Sequence, residues 1–537
     1  MPIQLIYKDI APGAKEDINN ITVSEKHTTV SDTQLLTSNV IDKKHYATFE
    51  WNQWRLDGTF YGITQKNIPY CSQYVSGSNG LFTNPIIITR EFMHKHNSMG
   101  VSFIFDDSGY CNNLKIAWYN DNELIVEKTF TPNDYQYYCE QTVELFNKVV
   151  ITCYSMNIEN RFLKIWSIDD GVNRFYNDAD IISYTVLEKM SLCSDTIEPN
   201  TLEVTVINKE TIPLHFQRNQ PLYLYQNSEL LGIFYVDSST RDSNLTYSIS
   251  SQDYKGILID KIFNGGIYNA VKVSTLINSI FQGEKIEVEI DEVTADIELS
   301  GYIPICTKRD ALAQVLLASC AVCDTSRRQT FKISRLVEDE PLQLTEDIVK
   351  SGVNATEQKT VTQVNLTVHN YTLTNERTQV FDGDVVAGIN RIEFSDPIST
   401  DNVTVSYGTV LEMGNNHCII NAAENHSCTI YAYTYEDNQK IIYRKNADVS
   451  LYTVENEKSI TDATLVTDNN SEDVLDMLYN ILSISSDVSY EAVLDDVFVG
   501  LAYKIPSEWN TEYTGRVSEL EYSGNNRLIG KVTQTNE

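Results

Sequence analysis

Cys320 and Cys323 form a C-x-x-C pair, a spacing used for zinc and for thiol–disulfide chemistry. A structural zinc site needs four ligands in a tetrahedron, and no second pair follows at zinc spacing. The pair closes a stretch of helical periodicity, so both thiols are expected on one helix face as buried small hydrophobes. His417, Cys418, His426 and Cys428 also carry ligand chemistry, on a segment that reads as a β-hairpin. His417 and Cys418 are adjacent, so on a strand they point to opposite faces and cannot share one tetrahedron. His94 and His96 alternate on a possible strand and would face the same way. No third ligand is identifiable for them, and they read as surface histidines.

Acid–base chemistry is thinly supplied. The chain has 8 His, and 74 Asp and Glu residues make pairs such as Asp106-Asp107 and Asp495-Asp496 expected by chance. Glycoside hydrolysis needs two carboxylates at a set separation across a cleft. G-x-S-x-G, H-E-x-x-H and G-x-x-x-x-G-K-[ST] are absent. Trp51, Trp54, Trp118 and Trp166 could stack on sugar faces if exposed, but they read first as core residues or domain lids. No catalytic, cofactor or metal residue is therefore assigned, no cofactor is implied, and glycan-contacting residues stay unassigned.

The elements that would position these residues are mostly strands. Residues 1–42 are polar and weakly periodic, an arm with one or two strands. Residues 43–175 read as a β-sandwich, with strands at Ile86–Thr89, Val101–Phe105, Leu114–Tyr119, Leu124–Phe130 and Lys148–Cys153. Asn120-Asp121-Asn122 signals a turn. In residues 176–255, Leu202, Val204 and Val206 alternate with Glu203, Thr205 and Ile207. Leu222–Tyr225 and Leu231–Val236 flank a hairpin loop, and Leu245, Tyr247 and Ile249 share one face.

The period changes in residues 256–350, an α+β insert. Val273, Leu276, Ile277, Ile280 and Phe281 recur at helical spacing, with Gly283 as a stop. Thr307 and Asp310 make an approximate capping box before Leu312, Val315 and Leu316. Strands are expected over Lys285–Asp291 and Phe331–Leu336. Residues 351–455 return to β, with strands near Thr360–Val368, Asn402–Ser406 and Thr429–Tyr435. Residues 456–537 hold one helix, capped by Ser471 and carrying Val474, Leu475, Leu478, Ile481 and Leu482. They end in strands paired around Tyr522-Ser523-Gly524-Asn525-Asn526.

Composition sets the partners. The 537 residues include 32 Tyr, which favours strands. The net charge of -33 opposes nucleic-acid phosphate and anionic lipid. The N-terminus lacks the apolar core of a secretory signal, and no run is apolar enough to span a bilayer. Ten scattered Cys are too sparse for a disulfide framework, which fits synthesis in a reducing cytoplasm.

The order of segments resembles a known family. Asn200–Asn208, Gln220–Tyr225, Leu231–Val236 and Tyr247–Asp253, followed by Asp253-Tyr254-Lys255-Gly256-Ile257-Leu258, resemble the first tube-like β-domain of phage baseplate hub proteins. Val497–Gly500 through Gly515–Tyr522 resembles the end of that family's second tube-like domain. Trp54-Arg55-Leu56-Asp57-Gly58 and the strands after it look like a galactose-binding-like jelly roll.

The resemblance implies a multidomain, mainly β protein with a smaller α+β insert: a jelly roll plus two tube-like antiparallel β-barrel domains. It implies a homotrimer whose six tube-like units match a sixfold tail tube on one side and a threefold spike or tip on the other. Tail tube or distal tail protein, spike and other baseplate proteins are the expected partners. DNA would pass an acidic lumen without specific binding, and the site of action would be the virion tail. A glycan-binding tail module and an envelope-degrading tail enzyme are the alternatives, the second weakened in this reading because the sequence ends at Glu537 with no appended hydrolase.

Overall fold

Apolar residues at every second position need cover on one face only, and that requirement builds most of this protein as antiparallel sheet. Strands take 61% of the described residues and helices 10%, the mainly β class with a smaller α+β part that the sequence leads one to expect. The computed structural model describes residues 3–10, 17–24, 36, 50, 69–193, 196–207, 216–227, 229–284, 286–336, 340–350, 352–357, 359–446, 455–484, 486–506, 512–524 and 529–536. Most of the predicted arm, Trp51, Trp54, the Trp54–Gly58 segment and the Asn525-Asn526 part of the last turn lie outside these residues.

The chain divides into two compact units. The smaller is Ile6–Tyr176 with Gln220–Leu222; the larger is Met1–Leu5, Asn177–Asn219 and Tyr223–Glu537.

In the smaller unit the sheet order is Tyr70–Val75, Phe162–Asp169, Leu81–Phe105, Gln136–Met156, Cys111–Asn120 and Glu123–Phe130. Ile18–Val23 pairs with Leu81–Phe105 as well. The strands expected at Ile86–Thr89 and Val101–Phe105 are one 25-residue strand. The polar stretch between them hides this continuity, because backbone pairing to Gln136–Met156 survives through register shifts between Glu91 and Gly100. Gly100 sits at φ +153, and a Cβ there would lie 2.2 Å from the Cys139 carbonyl oxygen. The irregularity therefore needs glycine. Ile88, Val101, Phe103, Ile116, Trp118 and Ile151 from both ends of the long strands join one core. Asn120 pairs with Glu123 around Asp121 at φ +55, the turn that Asn-Asp-Asn signals.

In the larger unit a sheet runs from Asn354–Glu357 through Ser486–Val493, Ile529–Asn536, Glu512–Ser523, Ile181–Lys189, Thr201–Ile207 and Thr246–Gln252 to Glu229–Arg241. Leu202, Val204 and Val206 point inward and Glu203 outward, as their alternation dictates. Tyr247 and Ile249 are buried beside them, whereas Leu245 precedes the strand and is exposed.

Two helices, Val273–Ile280 and Lys308–Ala318, cover the insert. Thr307 caps the second, accepting from the Asp310 backbone N–H at 3.1 Å while its hydroxyl donates to the Asp310 carboxylate at 2.7 Å. Val288–Ile290 and Phe331–Arg335 pair in parallel, which the helices between them permit. Leu276, Ile280, Leu312, Val315 and Phe331 share the core beneath.

Two departures are instructive. Ser471 is the first residue of its helix, and Asn470 holds the cap position. The Asn470 amide ties the approach instead: it accepts from Thr467 N–H at 2.8 Å and donates to the Ala318 and Leu465 carbonyls at 2.9 and 3.1 Å. The hairpin expected around His417–Cys428 is a corner. His417–Ala422 lies in a sheet with Gly388–Glu393 and Thr409–Met413, whereas His426–Asp437 lies in another with Tyr371–Val385 and Thr404–Val405. Cys418 and Ile420 on one strand and Cys428 and Ile430 on the other form a shared core. Each strand thus covers its apolar face with the other's sheet instead of lying beside it.

Candidate functional site

The chemistry-bearing residues are mostly dispersed. Cys320 is not helical: the helix ends at Ala318, Ser319 turns its hydroxyl back onto the Val315 carbonyl at 2.8 Å, and Cys320 takes φ +53. Cys323 lies on the following strand, Ala321–Asp324. Burial pushes the two thiols up to about 11 and about 12, so neither is a thiolate near neutral pH. His417 meets Glu412 at 3.0 Å, and His426 stacks on Tyr407 with centroids 4.2 Å apart. Among the described residues no group of three His, Cys, Asp or Glu could hold a metal ion. No described helix is long and apolar enough to cross a membrane.

Asp106 and Asp107 face apart, one buried and one exposed. Asp106 accepts from Ser108 N–H at 3.1 Å and from the Trp166 indole at 3.0 Å. Burial raises its pKa, but the nearby Lys164 ammonium and these hydrogen bonds outweigh it and hold the carboxyl below its usual range. Asp495 and Asp496 are exposed. Trp118 and Trp166 are 0% and 2% exposed, so neither offers a face to a sugar.

His94 and His96 do face the same way, and their common partner comes from far upstream. The Asp17 carboxylate meets His94 Nδ1 at 2.6 Å, His96 Nε2 at 2.8 Å and the His94 backbone N–H at 2.6 Å. Burial raises the Asp17 pKa, but the bonds from His96 and His94 prevail and hold it at about 2. A depressed carboxyl stabilises the fold above its unfolded pKa and loses that contribution as pH falls through the folded value. Asp17→Asn is therefore expected to lower the melting temperature of the smaller unit by about 2–4 °C at pH 6. The gap to the wild type should close between pH 4 and pH 2; an undiminished gap at pH 2, measured by calorimetry, would contradict this assignment.

The densest organisation lies in the larger unit, where Ile181–Lys189 has partners on both sides. Thr201–Ile207 pairs with it on one flank and Glu512–Ser523 on the other. In register, Val186 stands between Leu202 and Tyr522, and Leu187 stands between Thr201 and Glu521. This seam makes the β-domain of residues 176–255 and the chain's last strands one continuous sheet. Its buried face carries Tyr184, Val186, Leu202, Leu520 and Tyr522. Its other face is hydroxyl-rich and acidic, with Thr185, Glu203, Thr205, Ser248 and Glu521.

Glu188 breaks the pattern, because it points inward and is 1% exposed. It accepts from Arg327 Nε at 2.9 Å and from the Tyr522 hydroxyl at 2.7 Å. Arg327 also donates to the Leu494 carbonyl at 2.8 Å and lies over the Phe498 and Tyr522 rings. It adopts φ +53, a left-handed conformation that a non-glycine residue keeps only when its surroundings enforce it. Burial raises the Glu188 pKa, opposed by the Arg327 charge and the Tyr522 hydrogen bond.

A second buried knot adjoins it in sequence. Asp253 ends the Thr246–Gln252 strand and caps the turn of helix Tyr254–Ile257 by accepting from Lys255 N–H at 3.0 Å. It also receives the Thr325 hydroxyl. Lys255 donates to the Lys189 carbonyl at 3.0 Å and to Asn200 Oδ1 at 3.1 Å, and Asn200 donates to Ser326 Oγ at 3.1 Å. Burial raises the Asp253 pKa and the Lys255 charge opposes it. Sequence reasoning took in Asn200, Asp253 and Lys255 only as parts of longer stretches, and it missed Glu188, Thr325 and Arg327. The one signal they carry is an acid, Glu188, at an inward position of an alternating strand.

This constellation is a clasp, with its charges paired to one another and buried, and it fixes the first β-domain, the insert and the last strands together. The fold and site define a β-rich, multidomain protein whose larger unit is organised around one extended sheet. No family model matches the chain, and no curated protein matches it. Solved structures do resemble it. The 43 kDa tail protein of prophage MuSo2 from Shewanella oneidensis is 10% identical, with 67% of this chain and 95% of that chain covered and a TM-score of 0.42. The tail protein from Neisseria meningitidis MC58 is 9% identical, with 68% and 94% covered and a TM-score of 0.42. The prophage tail protein gp18 from Listeria monocytogenes EGD-e is 12% identical, with 68% and 91% covered and a TM-score of 0.40. All three are described as tail proteins.

Proposed function

We propose that this chain is a structural, non-catalytic hub subunit of a phage or phage-like tail. Three copies form a ring that joins a sixfold tail tube to a threefold spike or tip. The observation that carries the reading is the seam between Ile181–Lys189 and Glu512–Ser523. A single chain thereby supplies two successive arcs of one sheet, and three chains supply six. Asn354–Glu357, at the end of the sheet path, pairs with Ser486–Val493 on one side and with no other described strand, an edge that a neighbouring chain's strand would fill in this reading.

The hydroxyl-rich, acidic face would line the lumen, where its carboxylates oppose DNA phosphates and its Lys189 is already engaged by Glu198 and Glu519. Tail tube or distal tail protein, spike and other baseplate proteins are the partners in this reading, and the virion tail is its location. Native mass spectrometry of the purified chain should give three times 61.0 kDa. A monomer persisting at assembly concentrations would remove the trimer and with it the hub.

A further inference from the structure

The larger unit holds a cleft of about 520 Å³ between the insert and the last strands. Four cations line it, Arg328, Lys332, Arg335 and Arg516, against two described carboxylates, Asp324 and Glu340. The chain as a whole has 41 cations against 74 acids, so the described lining of the cleft inverts the prevailing charge. Asp324 is already engaged by Arg328 at 2.9 Å. Arg335 spends its Nε on the Ser319 carbonyl, which fixes the guanidinium in place. Between these charges the rim exposes large apolar side chains: Leu342 is 54% exposed, Leu501 41% and Phe498 40%. Met190 and Val322 form a buried apolar floor.

We propose that this cleft docks a short acidic peptide segment with an apolar anchor side chain, presented by a partner protein. Arginine beside exposed aromatic and aliphatic side chains is the composition of protein-docking surfaces. A volume of this size takes one or two side chains, not a domain. A nucleic acid fits poorly, because the surrounding net charge of -33 repels an extended polyanion, whereas a short segment confines its charge to the cleft. Phe498 also lies under Arg327, so an anchor pressed on that ring bears on the clasp as well. The docking does not depend on the trimer.

The test is fluorescence anisotropy with the full-length protein and a fluorescein-labelled acidic hexapeptide that has a central leucine. Saturable binding is expected, weakened by salt and about tenfold weaker in Lys332→Glu/Arg335→Glu. Lys332 is exposed, so Lys332→Glu alone should weaken binding while leaving the melting curve unchanged. Absence of saturable binding overturns the proposal, as does equal affinity in the variants or equal affinity for the hexapeptide with lysines in place of its acids. If the double variant loses self-association while its peptide affinity is unchanged, the occupant is a second copy of this chain and the proposal fails.

Discussion

Arg327→Ala is expected to destabilise the larger unit by about 3–5 kcal/mol, the usual cost of stranding one partner of a buried ion pair. Glu188 is 1% exposed and would keep only the Tyr522 hydroxyl as a strong partner. Losing the guanidinium also removes the bond to the Leu494 carbonyl and the stacking on two rings. The pH dependence follows from the direction of the Glu188 shift. A carboxyl raised by burial contributes its stability fully below its unfolded pKa and loses it as pH rises through the folded value. Without Arg327 the carboxyl rises further, so the deficit should be largest at neutral pH and shrink toward pH 4.5. Glu188→Gln/Arg327→Met should recover much of the loss, because a neutral pair leaves no orphaned charge. Urea unfolding followed by hydrogen exchange in Ile181–Lys189 reads the effect directly. A single variant within about 0.5 kcal/mol of the wild type would show that the pair contributes nothing.

That pair marks the boundary of what the sequence discloses. Where one period runs unbroken, the element and its buried face are readable: Leu202, Val204 and Val206 on their strand, and Val273 to Phe281 on their helix, lie where spacing puts them. Local caps are readable for the same reason, since Thr307 and Asp310 are three residues apart. Partners supplied from a distance are not. Nothing near His94 and His96 announces Asp17, which lies 77 residues from His94. Nothing in Ile181–Lys189 names Glu512–Ser523 as its flank, and the inward place of an acid at 188 has no evident partner until Arg327 is seen beside it.

The misreadings have one cause. Cys320 reads as helical and the His417–Cys428 stretch as a hairpin because local pattern cannot tell a chain that continues from one that turns a corner to cover an apolar face. The long strand Leu81–Phe105 is the converse, a continuous element disguised by polar residues at its bulges.

The sheet seam itself predicts opposite fates for two neighbouring residues. Val186 is 0% exposed, between Leu202 and Tyr522. Val186→Asp buries a carboxylate between those two side chains and on the same strand face as Glu188, a change in the class that exceeds about 4 kcal/mol. The seam should then open, with fast hydrogen exchange in both Ile181–Lys189 and Glu512–Ser523, and the native mass should fall below that of a trimer. Thr185→Asp adds the same charge one residue earlier, on the opposite face of the strand. Its register neighbour is Glu203, so a like-charge penalty of about 0.2–1 kcal/mol is expected and no more. Side-chain chemistry is identical in the two variants, so a difference of several kcal/mol between adjacent positions isolates the facing of the strand. It also tests the proposed lumen: if that face meets water in the proposed ring, an added acid on it should leave the assembled mass unchanged. If Thr185→Asp dissolves the assembly and Val186→Asp does not, the sheet faces the other way and the acidic lumen is lost with it.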